Sequence, residues 1–155
     1  YLLNFYGRER AVSMQILCRQ LDENEFPQAL AIRITVFVEE QHVPIEEEQD
    51  HYDASATHFG AFVDGQMVGT GRVVILDGKG KIGRLAVLEP YRGLGVGMKL
   101  LNTMVAYCQT QGLSEAYLGA QLQAIPFYEK AGFIAEGDIF DDAGIPHRLM
   151  RKQLA

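Results

Sequence analysis

Between the apolar run Leu85-Ala86-Val87-Leu88 and the helical pattern of Leu100, Leu101, Met104, Val105 and Cys108 lies Arg92-Gly93-Leu94-Gly95-Val96-Gly97-Met98, with three glycines at every second position. That spacing constrains the fold more than any other stretch, because it predicts a strand turning sharply into a helix. Without Cβ, a glycine takes positive φ freely and lets a ligand approach the backbone N–H groups. The turn then offers unpaired amides at the positive end of a helix dipole, a setting suited to phosphate. Taken alone, the glycines are a weak signal that a plain tight turn explains better than a phosphate site. Two better-known phosphate loops do not match: the spacing is G-x-G-x-G rather than G-x-G-x-x-G, and no Gly-Lys-Ser/Thr occurs.

The rest of the chain supplies mixed elements. At 155 residues with 48% hydrophobic content, it buries one core and is too short for two typical domains. Residues 1–13 are read as an N-terminal extension or an expression remnant, and 14–155 as the single domain. Met14 to Cys18 is the expected first strand. Asn24 is the expected cap of an amphipathic helix carrying Phe26, Leu30, Ile34, Phe37 and Val38 and ending before Pro44. His58 to Val63 meets Met67 to Leu76 across Asp64-Gly65, a favoured hairpin dipeptide. Asp77-Gly78-Lys79-Gly80 leads into Ile82 to Leu88, giving three antiparallel strands. Gly112 ends the helix that follows the glycines. Ala116 to Ala120 then reads as a buried strand, Ile125 to Ala131 as a short helix stopped by Gly132, and Phe133 to Ala135 and His147 to Leu154 as closing strands. The class is α+β with a mostly antiparallel sheet.

Charge is unevenly spread. Residues 39–53, EEQHVPIEEEQDHYD, hold seven carboxylates and no Lys or Arg, more than the whole net charge of −6. Residues 79–99 hold Lys79, Lys81, Arg84, Arg92 and Lys99 against the single acid Glu89. One region attracts cations and the other anions, unless both are ordinary solvated surface. The sequence pI of about 5.2 argues against nucleic acid as a partner. No run approaches the roughly 18 apolar residues of a membrane span, and no signal-peptide order is visible, so no membrane partner and a cytoplasmic location are expected. Cys18 and Cys108 have neither disulfide density nor metal-site spacing, and no metal is assigned.

What sharpens the glycine signal is its setting. Leu85-Ala86-Val87 precedes it, Arg92 opens an R-x-x-G-x-G pattern, and Phe127-Tyr128-Glu129-Lys130-Ala131-Gly132-Phe133 follows about thirty residues on. On these motifs the chain, over residues 14–154, resembles the GNAT superfamily of acyl-CoA-dependent N-acetyltransferases. The resemblance implies a mixed, mostly antiparallel twisted sheet flanked by helices, with acetyl-CoA (coenzyme A) as cofactor. Amides from Arg92, Gly93, Leu94, Gly95, Val96, Gly97 and Met98 would hold the pyrophosphate, and Leu85, Ala86 and Val87 would pair with the pantetheine arm. A bulge would splay that strand from Ala116–Ala120, with Gly119 permitting close approach.

The resemblance also distributes chemistry. Acetyl transfer to an amine needs a neutral nitrogen, stabilisation of an oxyanion and a proton for the departing thiolate. The N–H of Val87 is the implied oxyanion donor. Tyr128 is the implied general acid, its phenol having a reference pKa of about 10. Gln121 stands where many members carry Asn, and retains both donor and acceptor for a cofactor contact. Lys81 stands where histone-type members carry a basic Glu, so the base must come from elsewhere. Glu40 is the leading candidate. Glu40, Glu47, Asp50 and Asp53, with His58 and His147, are the candidate acceptor-binding groups: clustered carboxylates would attract an ammonium and, through raised pKa values, take its proton. The implied acceptor is a primary amine attacking directly, on a small amine, an amino sugar or a protein. Similar proteins commonly pair, which admits a homodimer. A non-catalytic acyl-CoA-binding sensor is the competing function; Tyr128 separates the two, since a sensor has no use for a phenol beside the thiol.

Overall fold

The computed structural model describes residues 14–154. Residues 1–13, with the expected extension, and Ala155 lie outside the described residues. Three glycine-containing turns set the hairpins. Asp64-Gly65 (φ 51° and 77°) joins β2 (Thr57–Val63) to β3 (Gln66–Leu76), and Asp77-Gly78 (52° and 73°) joins β3 to β4 (Lys79–Val87). Paired positive φ matches the right-handed twist of the flanking strands, which is why these dipeptides are strong hairpin signals. The third turn, Ala143-Gly144 (54° and 80°), joins β6 (Ile134–Asp142) to β7 (Ile145–Gln153). Both closing strands run longer than the sequence predicts. β6 is an edge strand whose residues are nearly all exposed, so its later half carries no apolar alternation to betray it.

Among the described residues, seven strands form one sheet in the order β1-β2-β3-β4-β5-β7-β6, with β1 at Leu17–Gln20 and β5 at Glu115–Gln121. β4 and β5 pair in parallel; every other neighbouring pair is antiparallel. The expected α+β class holds. The first strand starts three residues later than expected because β2 ends at Val63, leaving the chain before Leu17 almost no partner.

Helices cover both faces. α1 (Phe26–Arg33) follows a turn capped at Asp22 rather than at Asn24, where the Asp22 N–H donates to Glu25 Oε1 at 2.8 Å. Asp22 precedes Glu25 by the three residues a capping box needs, and Asn24 falls inside the turn. Beyond Arg33 the helix widens into a π-turn, Ile34–Glu40, with Gln41 N–H donating to Val36 O at 3.2 Å. Such widened turns often accompany functional sites. Ala29, Ile32 and Val36 pack on Phe62, Met67 and Ala86. A single turn, α2 (Ile45–Glu48), follows Pro44.

On the opposite face α3 (Val96–Thr110) buries Val96, Leu100, Leu101, Met104, Val105 and Cys108 against the main core, including Val73, Ile82 and Leu118. The short α4 (Ile125–Lys130) ends the helical set before Gly132 (φ 93°). Among the described residues, no helix is long and apolar enough to cross a membrane.

Candidate active site

β4 and β5 hold each other only at Gly80–Ala116 and Lys81–Tyr117. Past that point they diverge. The β3–β4 register slips between Thr70 and Arg72, and Arg84 sits in the left-handed region at φ 52°, the signature of a bulge that bends β4 away from its parallel neighbour. The divergence opens a cleft of about 900 Å³.

The direction of the β4 backbone groups follows from the ladder. Leu88 N–H donates to Val68 O at 2.9 Å, so Leu88 and Val68 form a hydrogen-bonded pair. Antiparallel pairs alternate, which makes Val87–Gly69 a non-bonded pair whose N–H and C=O point away from β3. The Val87 N–H therefore turns toward the cleft. The Val87 C=O is already occupied, accepting from Arg92 Nε at 2.8 Å. By the same alternation Ala86, opposite Thr70, spends its groups on β3.

Adjacent to this edge is the glycine turn. Gly93 (φ 77°) and Gly95 (φ 89°) take the conformations foreseen for them, and the space where their Cβ atoms would lie is empty to 4 Å. Gly95 is the N-cap of the 15-residue α3, and no side chain caps its first amides. A Cβ on Gly97 would lie 3.4 Å from Phe127 and 3.7 Å from Val87 Cγ2, which places the first turn of α3 beside both Val87 and α4. Open amides, positive φ and the helix dipole fit a pyrophosphate. The glycines do not themselves wall the cleft, whereas Leu85, Ala86, Val87, Arg92, Gln121 and Tyr128 do.

Tyr128 packs edge-on against Phe127 and Phe133, with centroids 5.1 and 6.1 Å away. Burial pushes its phenol up to about 12. It keeps its proton throughout the neutral range and is available as a donor. Gln121 is engaged on both sides, donating to Gln41 Oε1 at 2.9 Å and accepting from Gln123 Nε2 at 2.6 Å, so it ties the end of β5 to the π-turn. Glu40 reaches the cleft from that turn, with its carboxylate on Arg92 Nη2 at 2.7 Å.

The acidic segment is used differently from expectation. Arg33, 1% exposed, donates to Glu48 Oε2 at 2.6 Å and Asp53 Oδ1 at 2.8 Å. Arg72 forks onto both oxygens of Asp50 at 2.7 and 2.8 Å and also reaches Asp53 at 2.8 Å. The raised pKa values expected here are reversed at both aspartates. The Arg72 hydrogen bonds hold the Asp50 carboxyl at about 2. Burial works to raise the Asp53 carboxyl, but Arg33 and Arg72 together outweigh it and keep it low. Neither is a base near neutral pH. Asp50 and Glu47 line the cleft and Asp53 does not. Glu48 is buried too, and its Oε1 has no hydrogen-bond partner.

The sign of the Asp50 shift fixes a pH dependence. A folded-state pKa below the unfolded value of about 3.9 contributes stability that is complete above that value and disappears as pH falls through about 2. Asp50→Asn is therefore less stable than the parent at pH 7, and the gap narrows between about pH 4 and 2. Urea melts at several pH values check this; a constant gap would refute it.

The histidines separate. His58 bonds through Nε2 to the Asp53 carbonyl at 3.0 Å and packs on Phe26 at 4.7 Å, outside the cleft wall, so it fastens the acidic segment to β2 instead of meeting an acceptor. His147 lines the cleft. Its Nδ1 lies 2.7 Å from Ile145 O, and a carbonyl only accepts, so Nδ1 carries a proton and Nε2 is the ring nitrogen turned to other partners. Phe140 stacks on that ring at 5.7 Å.

Arg33, Arg72, Tyr52 and Phe140 carried no site reading in the sequence, and Arg84 only its share in the basic stretch 79–99. The arginines did leave a signal: Arg72 is a lone charge in the apolar run from Met67 to Leu76, and Arg33 shares a helix face with buried Ala29.

The comparisons agree with this geometry. The profile of the acetyltransferase (GNAT) domain matches residues 20–154. The uncharacterized N-acetyltransferase YjcF of Bacillus subtilis is 39% identical over 132 residues, 84% of this chain and 94% of that one. Among solved structures, Escherichia coli ElaA aligns with a TM-score of 0.78 at 27% identity, covering 90% of this chain and 99% of that chain. An acyl-CoA N-acyltransferase from Pseudomonas aeruginosa aligns at 0.77 and 28%, with the same coverage. A bulged β4 splayed from β5, an uncapped glycine turn at the head of α3 and a profile spanning nearly the whole described chain lead to one conclusion: this chain belongs to the GNAT acetyltransferase family and is an acyltransferase.

Proposed function

We propose that this protein moves an acetyl group from acetyl-CoA to a primary amine by direct attack. The observation that carries the proposal is the Val87 N–H turned into the cleft beside an open glycine cradle and a protonated phenol. When bound, the cofactor supplies an activated acetyl thioester. The amides of Val96, Gly97 and Met98, with the turn from Arg92 to Gly95, hold its pyrophosphate. The edge of β4 between Leu85 and Val87, splayed from β5, leaves room for its arm to run along it as a neighbouring strand would. Val87 N–H donates to the acetyl oxygen as negative charge develops there, and Tyr128 donates toward the sulfur.

The proton of the attacking amine goes to Nε2 of His147, the ring nitrogen that the Nδ1 bond to Ile145 leaves open. Glu40 has a different part here. It anchors Arg92, and Arg92 in turn holds the Val87 carbonyl, which steadies the residue whose N–H faces the cleft.

Release of free thiol from acetyl-CoA, followed with a panel of primary amines, tests the proposal. Amine-dependent release is expected. Tight coenzyme A binding with no turnover on any amine would overturn it in favour of a sensor. A further expectation concerns the cradle: Gly95→Ala forces a Cβ into φ 89° where the pyrophosphate sits, and raises KM for acetyl-CoA about tenfold or more. An unchanged KM would remove the glycine turn from the cofactor site.

A further inference from the structure

Arg84 stands out in the cleft for its backbone and for its unspent donors. It is a non-glycine residue at φ 52° in the middle of a strand. That conformation is strained for a residue with a Cβ and relaxed for glycine. The neighbouring Gly83 is not in the left-handed region, so glycine is absent from the position where it would relieve strain. What the chain keeps in exchange is a guanidinium.

That guanidinium is loosely held. Nε donates to Glu48 O at 2.9 Å, but Nη2 reaches Glu47 O only at 3.4 Å and Asp50 Oδ2 only at 3.3 Å. Nη1 has no hydrogen-bond partner among the described residues. By contrast, every bond that Arg33 and Arg72 make to a carboxylate is 3.1 Å or shorter. Arg84 lines the cleft with its side chain 26% exposed, and Lys81 lines it nearby. Burial, and then the charges of Arg72 and Arg33, pull its pKa below the usual arginine range, against the opposing pull of Asp50 and Glu48.

We propose that the acceptor amine carries a carboxylate and that Arg84 binds it through its unpartnered Nη1 and the loosely held Nη2 beside it. The proposal rests on the acetyl-transfer function above. A monoanion fits better than a phosphate dianion, because Glu47, Glu48 and Asp50 crowd the same end of the cleft and oppose a second negative charge. A planar fork matches a carboxylate bidentately. Arg84 precedes Val87 by three residues, roughly 10 Å of strand. An arginine side chain and a compact amino acid together span that distance, with the amine end beneath Val87. Tyr52, Tyr117 and Phe140 supply aromatic wall for the acceptor's carbon frame.

The experiment compares kcat/KM for amino acids with their carboxamides and with the corresponding aminoalkyl phosphates, using the parent, Arg84→Lys, Arg84→Gln and Arg84→Gly. The parent is expected to prefer the acid over the amide by roughly tenfold to a hundredfold, the range of a charged hydrogen bond. That ratio collapses toward one in Arg84→Gln and Arg84→Gly, while Arg84→Lys retains part of it. Glycine suits φ 52°, so Arg84→Gly removes the cation without backbone strain; its thermal melt confirms folding. Calorimetry without cofactor gives a second readout, with heat from the acid, little from the amide, and none from either in Arg84→Gly. Equal kcat/KM for acid and amide in the parent would overturn the carboxylate assignment while leaving acetyl transfer intact, and so would a preference for the phosphate or a preference that survives Arg84→Gly. Failure of every amine to be acetylated would overturn acetyl transfer itself, and this proposal with it.

Discussion

Tyr128→Phe lowers kcat by about 10²- to 10⁴-fold, the usual contribution of a positioned proton donor, and leaves the affinity for coenzyme A nearly unchanged. The substitution isolates the hydroxyl. The edge-on packing of the ring on Phe127 and Phe133 survives, so α4 and its contacts stay in place. The phenol's position near 12 refines what it does. A thiol titrates near 8.5, so complete proton transfer from this phenol to a thiolate runs well uphill. Donation that strengthens as charge builds on sulfur fits better than early proton release. A phenol at about 12 also adds no limb to the pH–rate profile below about pH 10. The parent and Tyr128→Phe profiles are then expected to be parallel, offset by the lost rate. Steady-state kinetics from pH 6 to 10 measure both features. A phenylalanine variant that turns over at the parent rate would mean that the sulfur takes its proton from water.

The second large effect is on stability. Arg33→Met removes the cation that holds both Glu48 and Asp53, in a site where Arg33 is 1% and Glu48 2% exposed. Breaking a buried pair from one side leaves uncompensated charge, typically at about 3–5 kcal/mol. For a domain of this size, Tm then falls by roughly 6–20 °C. Arg19→Met is the control: Arg19 bonds Glu25 at 2.7 Å, but its side chain is 42% exposed and screened by solvent, so the loss is small beside that of Arg33→Met. Adding Glu48→Met to Arg33→Met is expected to recover part of the loss, because the stranded carboxylate goes with its partner. Thermal unfolding of the four proteins decides it. Equal melting temperatures for Arg33→Met and Arg19→Met would show that the buried network contributes little.

Much of the scaffold was readable from local signals. Asp64-Gly65 and Asp77-Gly78 marked their hairpins because positive φ at both positions is a requirement written in the residues themselves. The core face of α3 was visible in its 3.6-residue spacing, and Gly112 marked its end. Elements whose identity depends on a distant partner were misjudged. The cap shifted from Asn24 to Asp22 because Glu25 answers Asp22, and the first strand was trimmed by the length of β2. The late half of β6 is exposed on an edge, so it carried no period to detect.

The candidate site divides along the same line. Its cofactor half is local: one turn, one strand edge and one tyrosine, each within a short motif. Its acceptor half is assembled across the chain. Asp50 reaches from residue 50 to Arg72 and Arg84, and His147 meets the cleft from the far side of β5. Composition marked residues 39–53 as a store of free carboxylates, yet three arginines from α1, β3 and β4 had already claimed Glu48, Asp50 and Asp53.

From its residues alone, then, the protein was committed to an α+β sheet with a glycine turn feeding a helix, because backbone conformation and hydrophobic period act over a few positions. Which side Val87 turns its N–H to, which carboxylates remain unpaired and where Arg84 points were decided by tertiary structure. These depend on ladder phase, a bulge and charge pairing between segments tens of residues apart, and no local pattern encodes such long-range partnerships.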